Sequence, residues 1–135
     1  MTETNSKYHI LIVDDDKFLV DMYSIKFAER GFRVDVAMDG EEALEKLKGG
    51  LRPNIFLVDI LMPKLNGFDL VTKIKEQKFD EGAALIILSN LGQQEDIDKG
   101  LALGVDGYII KASATPSEVV NKAIEIADSK LKTHD

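Results

Sequence analysis

Five short, largely apolar runs, each followed by a helix-like stretch, set the tightest limit on what this chain can fold into. The first, residues 8–13, ends abruptly in Asp14-Asp15-Asp16. Apolar runs of that length, rich in β-branched residues and bounded by polar ones, read as buried strands. Residues 33–37, 55–58 (closed by Asp59), 84–89 and 107–111 read the same way. Between them, residues 17–30 repeat apolar side chains at helical spacing, with Leu19, Met22, Tyr23 and Phe27 on one face. Residues 41–48 turn Ala43, Leu44 and Leu47 inward, and residues 68–76 and 93–103 form the next helices. The helix over 93–103 forms despite Gly100, a residue that weakens helix interiors. Gly31 and Gly104 are placed to end helices. The last helix, residues 117–132, carries an inward stripe of Val120, Ala123, Ile124, Ala127 and Leu131, with Thr115 or Ser117 as its cap.

Strict βα alternation implies a parallel sheet covered by helices on both faces. Right-handed crossovers leave few topologies, and for five units the natural one is the flavodoxin-like order 2-1-3-4-5, an α/β three-layer (βα)5 sandwich. A chain of 135 residues favours a single domain over 1–135, with a core of about 7–131. The polar ends, 1–6 and 132–135, are expected to fray. There is no cysteine, so disulfides and thiolate chemistry are excluded, and the two histidines, His9 and His134, lack ligand-like spacing. A net charge of −7 argues against nonspecific nucleic-acid binding. No apolar stretch approaches the roughly 20 residues that span a bilayer, and residues 1–7 have no apolar signal core, so a cytoplasmic location is expected.

In such a sheet, ligands bind beyond the carboxyl ends of the strands, where strand order reverses. The residues that close the strands are Asp14, Asp15 and Asp16 on the first, Asp59 on the third, Ser89 and Asn90 on the fourth, and Lys111 on the fifth. Two carboxylates about 5 Å apart repel by roughly 3 kcal/mol at an effective dielectric near 20. A divalent cation relieves that repulsion. Oxygen-only ligands point to a hard ion, Mg2+ or else Mn2+, which suits phosphoryl chemistry.

These residues resemble the receiver domain of two-component response regulators, over about residues 8–131. The resemblance rests on four segments: Ile-Leu-Ile-Val-Asp14-Asp15-Asp16; Leu57-Val-Asp59-Ile-Leu-Met-Pro63-Lys-Leu-Asn-Gly67; Leu88-Ser89; and Gly107-Tyr108-Ile-Ile-Lys111. It implies that Asp59 is the phosphoacceptor, attacking a phosphohistidine on a sensor histidine kinase or phosphotransfer protein. Asp15 resembles the direct metal ligand and Asp14 the neighbour holding metal-bound water, with Asp59 and the Leu61 carbonyl completing the set. Lys111 and Ser89 would contact the phosphoryl oxygens. Tyr108 would be the aromatic that follows the resulting rearrangement of the fourth helix, fifth strand and fifth helix. With no output domain in view, the signal would pass to a separate downstream protein, from a monomer or weak homodimer.

Three departures from the family pattern stand out. Ala112 follows Lys111 where a cis proline is usual, and a non-proline cis bond costs about 3–4 kcal/mol. Either the peptide is trans and the loop runs differently, or the strain is retained; the reading leans to cis. Ser89 replaces the commoner threonine, and Asn90 a small residue, from where it could contact the phosphoryl group. Leu61 and Leu91 occupy positions that set phosphate lifetime in the family; both are apolar, which predicts slow phosphate loss. Two rivals remain. One is a degenerate receiver that only docks. The other is an Asp-dependent phosphatase using Asp14 and Asp16, for which the chain lacks a cap.

Overall fold

In the computed structural model, which describes residues 8–131, strands and helices alternate along the chain. The strands are β1 (His9–Val13), β2 (Arg33–Ala37), β3 (Ile55–Val58), β4 (Ala84–Ser89) and β5 (Gly107–Ile110). The helices are α1 (Lys17–Glu29), α2 (Gly40–Lys48), α3 (Gly67–Glu76), α4 (Gln94–Ala102) and α5 (Pro116–Leu131). All strand pairs are parallel and the order is β2-β1-β3-β4-β5, as the alternation implied. The ends expected to fray, the final helix position Lys132, and His134 lie outside the described residues.

Side chains alternate across each strand, so successive residues feed opposite layers. Ile10, Ile12, Leu57, Ile86 and Leu88 pack with Val20, Tyr23 and Phe27 of α1 and with Val119, Ala123 and Ala127 of α5. Leu11, Val13, Phe56, Val58, Leu85 and Ile87 pack with Leu44 and Leu47 of α2 and with Leu70, Val71 and Ile74 of α3. The register decides which polar residues meet at the sheet edge. Val13 pairs with Val58, Val58 with Ile87, and Ser89 with Ile110. The residues just beyond these pairs, Asp14, Asp59 and Lys111, therefore emerge along one carboxyl edge.

The helix ends follow the local chemistry. Asp16, Asp39 and Asn66 cap α1, α2 and α3, each side chain accepting from a first-turn N–H. Of the two caps proposed for α5, Thr115 is the one used. Its hydroxyl accepts from Glu118 N at 3.2 Å while Glu118 accepts from Thr115 N at 2.8 Å, a reciprocal capping box. Gly31 and Gly104, at φ 87° and 92°, follow the ends of α1 and α4 in the left-handed region.

The end of β5 departs from expectation. The strand stops at Ile110, and Lys111–Ser113 form a 3-10 turn. Every described peptide bond is trans, Lys111–Ala112 included, which corrects the leaning to cis. Alanine lacks the tertiary amide that makes cis accessible before proline, so the trans form wins and the turn absorbs the change of direction.

Candidate functional site

Three carboxylates gather at the carboxyl edge of the central strands. Asp14, Asp15 and Asp59 each place an oxygen within 4.8 Å of the others. Asp14 and Asp59 are buried and Asp15 is exposed, so the cluster has a closed floor and an open rim. Asp14 follows β1 directly, and its Oδ1 accepts from Asp16 N at 3.0 Å, which fixes the rotamer. Asp59 follows β3, its N–H donating to Val13 O at 2.9 Å. Lys111 enters from the start of the 3-10 turn. Its Nζ stands 2.8 Å from Asp14 Oδ2 and 3.4 Å from Asp59 Oδ2. The buried Asp14 Oδ2 is thus ion-paired with the Lys111 ammonium.

The charges explain the titration of the site. Burial first, and then the Asp14 charge, push the Asp59 carboxyl from 3.8 to about 6, against the opposing pull of Lys111. For Lys111, burial works to lower the pKa, but contact with Asp14 and Asp59 outweighs it and the value rises. One ammonium thus faces three carboxylates, which leaves the pocket short of positive charge. An all-oxygen donor set and an excess of negative charge, three carboxylates to one ammonium, fit a hard divalent cation.

Ser89 and Tyr108 stand one step back. Ser89 is fully buried at the end of β4, and its Oγ accepts from Leu91 N at 3.2 Å rather than turning to Asp59. The Tyr108 hydroxyl donates to Leu91 O at 2.6 Å. Burial, then the charges of Asp96 and Asp59, raise its pKa. The loop after β4 is therefore held from both sides through Leu91. Leu61 lies in the loop after β3 with its side chain 57% exposed, and Asn90 is exposed beside Ser89.

Two features are not singled out by the sequence alone. Asp16 caps α1 by accepting from Leu19 N at 3.2 Å. The signal is a carboxylate three residues ahead of a helical position, masked by its two acidic neighbours. Gly67 packs against the backbone of Asp59 so closely that a β-carbon would collide with the Asp59 carbonyl oxygen. Asn66-Gly67 reads only as a loop signal.

Fold and site together define a flavodoxin-like (βα)5 domain whose acidic switch-point edge is suited to a cation and a phosphoryl group. The family model for the response regulator receiver domain matches residues 10–124, and the chain belongs to that family. The response regulator SaeR of Staphylococcus aureus is 34% identical over 126 residues, 93% of this chain and 53% of SaeR. The chain thus spans about half the length of the curated relatives it matches. The receiver domain of Francisella response regulator 1452 superposes with a TM-score of 0.80 at 30% identity, covering 91% of this chain and 98% of that one. A CheY-like receiver domain protein from Methanospirillum hungatei gives 0.82 at 28% identity, covering 93% and 98%. Among the described residues, no helix is long and apolar enough to cross a membrane.

Proposed function

We propose that this chain acts as one receiver domain and as a phosphorylation-dependent switch, with Asp59 as phosphoacceptor. An Asp59 oxygen attacks the phosphorus of a phosphohistidine on a sensor histidine kinase or phosphotransfer protein. A P–O bond forms, the P–N bond breaks, and the imidazole leaves with the electron pair. The observation that carries this reading is a buried carboxylate, Asp59, flanked by Asp14, Asp15 and Lys111 at an edge open to solvent.

Each side chain has a task that follows from its place. Asp14, Asp15, Asp59 and the Leu61 carbonyl would hold Mg2+ or Mn2+. When bound, such an ion supplies positive charge to the carboxylates and to a phosphoryl group carrying about −1.5 to −2. Lys111, already 3.4 Å from Asp59, turns its ammonium to the phosphoryl oxygens. Ser89 gives up its contact with Leu91 N and donates its hydroxyl to those oxygens. Because Leu91 also holds Tyr108, that exchange is transmitted to β5, and the surface of α4, β5 and α5 changes for a downstream protein. To move a population from 1:99 to 99:1 requires about 5.5 kcal/mol. A few charge-assisted hydrogen bonds at roughly 1.5–3 kcal/mol each reach that.

Beryllofluoride and acetyl phosphate test the reading. A Mg2+-dependent adduct that is lost in Asp59→Asn is expected. A fold that binds neither would be a docking module. Steady turnover of free phosphate esters would make the chain a phosphatase.

A further inference from the structure

Gly100 is the buried residue of α4. A glycine inside a helix weakens it relative to alanine, so the position needs a reason in packing. A β-carbon there would stand 2.9 Å from Ile87 Cδ1 and 3.1 Å from Tyr108 Cδ2. Ile87 and Tyr108 are cross-strand partners on β4 and β5. They do not yield equally. The Ile87 contact is with Cδ1, the far end of a flexible side chain, which turns aside at small cost. The Tyr108 ring is rigid and tethered through its hydroxyl to Leu91 O, so it makes room only by shifting as a body toward the half-open rim.

We propose that Gly100 is a positioning residue, leaving the space that the Tyr108 ring needs to lie inward and hold the loop after β4. The contacts run without a break. The ring lies against Gly100, the Tyr108 hydroxyl donates to Leu91 O at 2.6 Å, and Leu91 N donates to Ser89 Oγ at 3.2 Å. A side chain at residue 100 pushes the ring outward by a few tenths of an ångström, strains its bond to Leu91 O and loosens the segment that carries Ser89. Ser89 is then less well placed to meet a group on Asp59. The structural part of this inference stands on packing; its functional part rests on the phosphoacceptor reading.

The test uses the full chain as wild type, Gly100→Ala, Tyr108→Ala and the double variant. Two quantities are read: the nuclear Overhauser effect between the Tyr108 ring and the Ile87 methyl groups, and the affinity for beryllofluoride with Mg2+. Gly100→Ala is expected to weaken the ring-to-methyl signal and to weaken beryllofluoride binding by about 5- to 50-fold. Affinity for Mg2+ alone stays unchanged. In the Tyr108→Ala background the same substitution has almost no further effect. An unchanged signal, or equal weakening of binding without the tyrosine ring, overturns the proposal, because the β-carbon would then act by displacing α4. Should Gly100→Ala fail to fold, the pair Gly100→Ala with Ile87→Val removes the nearer clashing atom and carries the same comparison. If the wild type itself ignores beryllofluoride, the phosphoacceptor reading falls, and the ring-to-methyl signal still decides the packing claim.

Discussion

Asp59 sits among charges of its own sign in a pocket that one ammonium balances only in part. Burial and Asp14 hold its carboxyl at about 6, against 3.8 for the free group. Between those pH values the native protein keeps a proton that the unfolded chain has released. The native state binds more protons there, so stability falls as pH rises from about 4 to about 6 and then levels off. Without divalent cations, Asp59→Asn is therefore expected to stabilise the fold by about 1–3 kcal/mol at pH 7 and by almost nothing at pH 4. Urea unfolding in chelator across that range measures it. A variant no more stable at pH 7 would mean that Lys111 already neutralises the pocket. The neighbouring leucines carry a second expectation. Neither Leu61, largely exposed, nor Leu91, half-buried, offers a polar group to orient an attacking water. The phosphorylated chain should lose its phosphate over minutes rather than seconds once the donor is removed, and Leu61→Gln should shorten that time. Loss of label within seconds from the wild type contradicts it.

At the scale of single elements, the start of α3 shows how closely the site is tied to the scaffold. Asn66 caps the helix, and Gly67 N donates to Ile60 O at 2.9 Å. At Gly67 the neighbour is the backbone of Asp59 and Ile60 just past β3, which cannot rotate aside as a side chain would. Gly67→Ala is expected to cost about 1–3 kcal/mol or more and to weaken Mg2+ binding, because the loop carrying Leu61 must move away from Asp59. A urea midpoint within error of wild type would show that the loop gives freely. Local pattern serves some elements better than others. In α2 and α3 the charged and apolar faces separate cleanly, and the inward residues Ala43, Leu44 and Leu47 are those the spacing picks out. In α1, Phe18 and Ile25 are apolar yet 71% and 60% exposed, so the stripe blurs and the spacing does not single out Val20. In α5, Val119 is fully buried beside the expected stripe, while Leu131 is only partly so.

At the scale of the whole molecule, what can be read in advance is what topology dictates. The βα alternation with right-handed crossovers leaves one natural strand order, and strand-end residues must then share an edge. Asp14, Asp15, Asp59 and Lys111 are legible for that reason. Contacts set by how helices settle on the sheet are not: the Asp14–Lys111 pairing, the hold of Tyr108 on Leu91, and the approach of α4 at Gly100 depend on distances that no periodicity encodes. The same topology makes a global prediction. Asp14 follows β1, Asp59 follows β3 and Lys111 follows β5, so the edge joins strands from across the sheet. An ion held there binds only the native arrangement, and its free energy adds to the cooperative unfolding of the whole domain rather than to one loop. At 100 times its Kd, Mg2+ is expected to stabilise the wild type by about 2.7 kcal/mol. For a domain of this size that raises Tm by several degrees. Scanning calorimetry across a Mg2+ series reads the gain, and the Asp14→Asn, Asp59→Asn double variant should lose it. An equal rise in that variant would place the ion elsewhere on this acidic chain, since the two buried carboxylates it lacks are the ones that join β1 to β3 at the site.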